Sequence, residues 1–142
     1  MSAQGTSQIP AKVLITGANG FIGGALMRHF RAQGAAVMGV DLVATGDDVV
    51  AGDIAKPDSF RHLLRDCDVL VHTAAVVSNA MSDSEMWTVN VAATANLVAC
   101  AVDCQVKRFV HISSIVVYGN SAAGELDENH PVHADGGSYV LT

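Results

Sequence analysis

The chain has 142 residues, of which half are apolar and 15% are charged, and its formal net charge is -6. This length suits one domain with a buried core, and an acidic chain without a basic run is not expected to bind nucleic acid. No apolar run is long enough to span a bilayer, so we expect no membrane association either.

Residues 1–12 are polar and lack the apolar segment of a signal peptide. We expect them to form a disordered lead-in, followed by one domain over residues 13–142. The three cysteines, Cys67, Cys100 and Cys104, are an odd number without the paired spacing of a metal site. They predict reduced thiols in a cytoplasmic protein, and we expect no bound metal.

The first apolar run, residues 13–16, predicts a buried strand that leads into a glycine-rich turn. Gly17 permits a tight turn out of the strand, and Gly20 lets the backbone approach phosphate groups. Gly23 lets the following helix, predicted over 20–32, pack closely on the strand. A dinucleotide pyrophosphate would lie at the N-terminus of this helix, where N–H groups and the positive dipole end face it. The other residues of this turn that we assign to the cofactor are Asn19, Phe21 and Ile22.

By itself this pattern also fits an ordinary glycine-rich turn, so its meaning depends on an acidic residue downstream. A second buried strand, predicted over 35–40, ends in Asp41. A carboxylate about 20 residues beyond the glycines can accept hydrogen bonds from the adenosine ribose and would repel a 2′-phosphate. No Lys or Arg lies between Asp41 and Lys56 to neutralise that phosphate. The sequence therefore predicts that the cofactor is NAD rather than NADP.

Apolar runs and helical patterns alternate along the rest of the chain. Strands are predicted over 49–54, 68–73 and 107–113, and helices over 57–67 and 84–103. This alternation is typical of βαβ units and a parallel sheet.

The predicted 84–103 helix has an unusual composition. It carries no charge from 86 to 102. A helix that is apolar nearly all round is buried on more than one side, and a sheet covers only one of them. The other side should meet another element or another subunit. Its polar residues in this stretch are Thr88, Asn90, Thr94 and Asn96.

Several sequence motifs in order along the chain carry a family resemblance. They are TGANGFIGG at 16–24, Gly52-Asp53-Ile54, HTAA at 72–75, VNV at 89–91 with Thr94 and Asn96, SSIVVYG at 113–119, and Tyr139. Together they resemble the extended short-chain dehydrogenase/reductase family, in its NAD-dependent epimerase/dehydratase branch, over nearly the whole chain after Lys12. The resemblance implies an α/β fold, a Rossmann doubly wound parallel sheet of order 3-2-1-4-5. It also implies that the C-terminal strands and the substrate domain are missing from this chain.

The resemblance implies further contacts to the cofactor. Asp53 would hydrogen-bond the adenine amine, with Ile54 packed beside it. Ala74 and Ala75 would line the nicotinamide side, where small residues allow close approach.

The resemblance also implies the catalytic residues. Ser114 would hold the substrate oxygen, Tyr139 would be the acid/base, and Asn90 would hold a water relay. A free tyrosine, with a pKa near 10, is a poor base at neutral pH. The family lowers this pKa with a lysine at the position directly after Thr142, so we expect the 142-residue chain alone to be inactive.

Three other side chains have structural interpretations. Tyr118 is expected to pack so that it positions Ser114, and His72 and His111 lie in apolar strands and are expected to be core histidines.

The function that follows is NAD-dependent oxidation, reduction or epimerisation at a secondary alcohol carbon, with a nucleotide sugar as the small-molecule substrate. A sterol-type or small-carbonyl dehydrogenase of the same family is one alternative. A non-catalytic NAD-binding regulatory module is another, and a lysine after Thr142 would favour an enzyme. In this family the 84–103 helix contributes to a dimer interface, so we expect a homodimer.

Overall fold

Five parallel strands form the central sheet of the computed structural model, which describes residues 9–77, 81–119 and 124–132. The strands are β1 (Lys12–Thr16), β2 (Ala36–Asp41), β3 (Val49–Ala51), β4 (Val69–His72) and β5 (Arg108–His111). Their order in the sheet is β3-β2-β1-β4-β5. The predicted Rossmann topology and strand order are confirmed. The third strand is shorter than predicted, because it pairs with β2 only as far as Ala51.

The helices follow the predicted positions, with differences in type. They are α1 (Phe21–Ala32), α2 (Arg61–Leu64), α3 (Asp83–Trp87) and α4 (Thr94–Asp103). A 3-10 turn over Pro57–Phe60 precedes α2, and another covers Ile115–Tyr118. None of the helices in the described ranges is both long and apolar enough to cross a membrane.

The predicted 84–103 helix is continuous but changes type along its length. It begins at a capping box, in which Ser82 and Glu85 each satisfy the other's backbone N–H. Between α3 and α4 the backbone forms a π-helical segment, Thr88–Ala93. Apolar periodicity does not distinguish a π turn from an α turn, so the sequence did not predict this segment.

Side chains that alternate along the strands form two cores, one on each face of the sheet. On β1, Val13 and Ile15 pack with Met27 of α1, whereas Leu14 lies in the opposite core with Leu97 of α4. Both faces are therefore covered, as the apolar composition of the strands predicted.

The long helix buries only one side in the described part of the chain. Leu97 and Ala101 are buried against the sheet, while Val98 and Val102 are 38% and 70% exposed. The sequence predicted burial on a second side, and this stays a prediction, because these two side chains are exposed in the described part of the chain.

His72 is the buried histidine of the sheet. Its Nδ1 lies 2.7 Å from Thr16 Oγ1, and its Nε2 lies 2.9 Å from Thr94 Oγ1. Burial, and secondarily the nearby His111, lowers the pKa of His72 from 6.5 to about 4. His111 was also predicted to be a core histidine, and this was wrong. It lies on β5 at the edge of the described sheet, where its ring stacks on His72 but remains exposed.

The three cysteines are free, and Cys67 and Cys100 are buried. In the described residues, no group of three or more His, Cys, Asp or Glu side chains is arranged to hold a metal ion.

The free energy of unfolding should depend on pH through His72. Because its pKa is about 4 in the folded protein and 6.5 unperturbed, the unfolded chain binds more protons between these values. The stability due to the neutral ring is therefore complete above pH 6.5 and is lost as the pH falls, by about 3 kcal/mol in all. Urea unfolding across this range should show a steeper loss for the wild type than for His72→Gln.

The matched control for this measurement is His62→Gln, which changes an exposed histidine on α2. It should keep the wild-type pH dependence. Parallel pH profiles for the wild type and His72→Gln would contradict the assignment.

Candidate functional site

A cleft of about 570 Å³ opens at the carboxyl ends of the strands. It lies beside β1, where the chain passes from β3 on one side to β4 on the other. Such a topological switch point is where open α/β sheets bind their ligands. Eight of the predicted cofactor residues line the cleft: Gly17, Asn19, Gly20, Asp41, Asp53, Ile54, Ala74 and Ala75.

The glycine turn fits its predicted role. Gly17 has a φ of +70°, and a Cβ at this position would lie 2.7 Å from the Ala74 backbone nitrogen. A Cβ at Gly23 would overlap the carbonyl oxygen of Gly17. The N-cap of α1 is Gly20, which has no side chain to cap the first N–H groups. An anion bound here would meet these groups and the positive end of the helix dipole.

Three predicted cofactor residues do not line the cleft. Phe21 is 96% exposed at the start of α1, and Ile22 is also exposed. Gly23 is buried in α1 against the turn. Direct contact of these three residues with a cofactor stays a prediction, whereas the packing role predicted for Gly23 fits its position.

Asp41 is held in a defined orientation at the end of β2. Its Oδ2 accepts a hydrogen bond from Asn19 N at 2.9 Å, and its Oδ1 accepts one from Leu42 N at 2.8 Å. The Asn19 side chain donates to Val43 O at 2.8 Å and accepts from the Thr45 hydroxyl. The glycine turn and the loop after β2 are thus tied together around the carboxylate. Among the described residues that line the cleft there is no Lys or Arg.

Asp53 and Ile54 form the neighbouring part of the cleft wall. The Ala55 N–H donates to Asp53 Oδ1 at 2.9 Å, and Ile54 is buried. Gly52 precedes them, and a Cβ there would lie 2.7 Å from the Phe60 ring. The close approach of Phe60 explains why this position needs a glycine.

The opposite wall was only partly predicted. Besides Ala74 and Ala75 it contains Val76 and Val89. Asn90 accepts from Val76 N at 2.8 Å and donates to Val76 O at 2.9 Å, so its amide clamps the loop after β4 to the π-helical segment. The predicted water relay at Asn90 stays a prediction. An amide in a mostly apolar, uncharged stretch of helix was the sequence signal for this contact.

The other two predicted catalytic residues, Ser114 and Tyr139, are not among the described residues that line the cleft. Ser114 follows β5 and caps the Ile115–Tyr118 turn, where its Oγ accepts from Val116 N at 3.4 Å. It is half-buried and does not line the cleft. Tyr139 lies outside the described residues. The ring of Tyr118, predicted to position Ser114, makes an edge contact with His130 at 5.7 Å.

A parallel Rossmann sheet with this cleft defines a dinucleotide-binding domain. Residues 13–141 match the model of the NAD dependent epimerase/dehydratase family, and the chain belongs to this family. Its cofactor is NAD, as predicted.

The curated relatives include enzymes of two kinds. UDP-glucose 4-epimerase of Vibrio cholerae is 32% identical over 94% of this chain and 45% of its own length. A 4-hydroxy-2-methyl-3-oxo-4-farnesyl-3,4-dihydroquinoline-1-oxide ketoreductase of Stigmatella aurantiaca is 28% identical over 85% of this chain and 39% of its own length. The chain therefore spans less than half the length of these relatives.

A solved structure has the same fold. It is a short-chain dehydrogenase/reductase superfamily protein from Agrobacterium tumefaciens with bound NAD. It is 31% identical with a TM-score of 0.80, and the match covers 92% of this chain and 41% of that one.

Adjacent glycines of α1 should respond in opposite ways to alanine. Gly23→Ala places a Cβ against the Gly17 carbonyl and should lower the free energy of unfolding by about 2 kcal/mol or more, with loss of NAD binding. Gly24→Ala meets its neighbours at 3.5 Å and should raise it by about 0.5–1 kcal/mol. Urea unfolding and calorimetric NAD titration measure both effects, and equal responses of the two variants would contradict the packing argument.

Proposed function

We propose that this chain is the NAD-binding part of an enzyme that oxidises, reduces or epimerises a secondary alcohol carbon of a nucleotide sugar. The observation that carries the proposal is the cleft at the switch point, with Asp41 and Asp53 on one wall and small residues on the other. The nucleotide-sugar assignment is supported by the UDP-glucose 4-epimerase relative, which matches 94% of the chain.

The chain's own residues would supply binding and proton transfer. The first turn of α1 would hold the pyrophosphate, Asp41 the adenosine ribose, and Asp53 the adenine amine. NAD, when bound, supplies the hydride acceptor for an alcohol carbon. We propose that ionised Tyr139 takes the hydroxyl proton when the alcohol is oxidised and returns it when the carbonyl is reduced, while Ser114 Oγ holds the same oxygen by a hydrogen bond. A tyrosine in this role needs nearby positive charge, because its ordinary pKa is near 10.

The ketoreductase relative favours a second candidate, the reduction of a ketone. The same alcohol–carbonyl chemistry would run there in the opposite direction. Conversion of UDP-glucose with NAD supports the first candidate, and consumption of NADH that requires a ketone supports the second. In an assay of the full-length protein, NAD binding without either reaction would indicate a non-catalytic module.

The helix that contains the uncharged stretch supports a further proposal, that the protein forms a homodimer. Val98 and Val102 leave an apolar strip exposed on α4, and two copies of such a face commonly associate about a two-fold axis.

Cofactor choice should depend on Asp41. NAD should bind at least about tenfold more tightly than NADP, because the carboxylate accepts from ribose hydroxyls and repels a 2′-phosphate. Asp41→Ala should reduce this difference in affinity, mainly by weakening the binding of NAD. Asp47→Ala changes an exposed carboxylate in the loop after β2. It should leave the difference between the NAD and NADP affinities unchanged. Fluorescence titration with both nucleotides measures the ratio, and equal affinities in the wild type would contradict the assignment.

Turnover should depend on two hydroxyl groups. In the full-length protein with UDP-glucose and NAD, Tyr139→Phe and Ser114→Ala should each lower kcat by about a hundredfold or more, because the first removes the proton acceptor and the second removes the hydrogen bond to the alcohol oxygen. NAD affinity should stay within about twofold of the wild type. Ser113→Ala removes an exposed hydroxyl beside Ser114 and is the matched control, with unchanged kcat. Full turnover by Tyr139→Phe would contradict the proposed mechanism.

Association should depend on the apolar strip of α4. Val98→Asp places a charge in the proposed interface and should shift the protein from dimer to monomer in light scattering at micromolar concentration. Ala25→Asp introduces the same charge on the exposed side of α1 and should leave the dimer intact. A monomeric wild type would contradict the proposal.

A further inference from the structure

We propose that Thr16, His72 and Thr94 are positioning residues that hold the wall of the cleft formed by Val76 and Val89. Their hydrogen-bond chain runs from the end of β1 through β4 to the first residue of α4. The inference rests on the proposed function in one respect, because it takes this wall to receive the nicotinamide half of NAD.

The first step is that both ring nitrogens of His72 in the hydrogen-bond chain have partners. Thr16 and His72 are 0% and 1% exposed. A neutral imidazole donates at one nitrogen and accepts at the other, and each threonine hydroxyl can take either role. Burial keeps the ring neutral by lowering its pKa. Both ring nitrogens therefore have partners without a buried charge, which is the condition under which a buried polar network specifies one arrangement.

The second step concerns Thr94, where the hydrogen-bond chain ends on the long helix. Thr94 directly follows the π-helical segment Thr88–Ala93. A π turn carries one extra residue, so its neighbours in the α-helix must fix where the segment begins and ends. Thr94 is tied to the sheet by the 2.9 Å contact to His72 and thereby fixes the C-terminal end of the segment.

The third step connects the segment to the cleft. Val89 of the segment lines the cleft directly. Asn90 binds both backbone groups of Val76, which lies on the loop after β4. Displacement of the segment would therefore move two residues of the same wall. The wall formed by Asp41 and Asp53 has no contact with this hydrogen-bond chain through any of these bonds.

The other end of the hydrogen-bond chain, Thr16, lies at the glycine turn. Thr16 immediately precedes Gly17, and Thr73 Oγ1 donates to Thr16 O at 2.7 Å. The ends of β1 and β4 are thus joined by one side-chain bond from His72 and another from Thr73. The glycine turn and the far wall of the cleft are therefore held in one frame.

The experiment compares the binding of NAD with that of ADP-ribose, which shares the adenosine and both phosphates but lacks nicotinamide. Thr94→Val removes one hydroxyl and keeps the shape. It should weaken the binding of NAD about tenfold, while the affinity for ADP-ribose stays within about twofold of the wild-type value. Thr94→Ser restores the hydroxyl and should restore NAD affinity. Thr88→Val makes the same substitution at an exposed position of the same helix and should change neither ligand.

A double-mutant cycle tests whether the hydrogen-bond chain of Thr16, His72 and Thr94 acts through the contact between Asn90 and Val76. Thr94→Val combined with Asn90→Ala should weaken NAD no more than Asn90→Ala alone, because both changes release the same wall. The inference would be overturned if Thr94→Val weakened the binding of both ligands equally or weakened neither. It would also be overturned if the effects of Thr94→Val and Asn90→Ala on NAD binding were additive. If Thr94→Val does not fold, Thr94→Ala removes the same hydroxyl and decides by the same ratio.

Failure of the proposed function gives a different result. If the wall does not receive nicotinamide, Asn90→Ala, which opens the wall directly, leaves the ratio of NAD to ADP-ribose affinity unchanged. If only the positioning role is wrong, Asn90→Ala changes this ratio and Thr94→Val does not.

Discussion

The close approach of the Gly17 backbone to two neighbours is the constraint on which the rest of the structure depends. On one side lies the backbone of Ala74, 2.7 Å from where a Cβ would be, and on the other lies Gly23 of α1. Only glycine at positions 17 and 23 allows β1, α1 and the loop after β4 to meet at one point. The cleft is the space that remains where they meet, so its location follows from the absence of two side chains.

The two walls of the cleft are held in position by different kinds of contact. Near Asp41, short-range hydrogen bonds from Asn19 and Leu42 to the carboxylate fix a charged group at the surface. On the other wall, the side chains are apolar, and position comes from the Asn90 clamp and the buried His72. One wall is thus oriented by N–H donors to a surface carboxylate, and the other by hydrogen bonds made behind its apolar side chains.

The long helix serves both the core and the cleft because it changes type along its length. Its α-helical end buries Leu97 and Ala101 against the sheet, and its π-helical segment brings Val89 and Asn90 to the cleft. A uniform α-helix would carry these residues at a different angle, since each turn would hold one residue fewer. On the outer side of α4, Val98 and Val102 are exposed one turn apart.

The sequence by itself determined the alternation of strands and helices, the glycine turn and the acidic residue at the end of β2. Residue spacing and hydrophobic periodicity along the chain predict these features, whereas the strand order of the sheet was implied by the resemblance of the motifs to a known family. The tertiary structure alone decided the π-helical segment, the exposure of His111, and the contacts of His72 with Thr16 and Thr94. Thr16 and His72 are 56 residues apart, and His72 and Thr94 are 22 residues apart. No local pattern encodes such partners, because the packing of separate elements brings them together only after the sheet has formed.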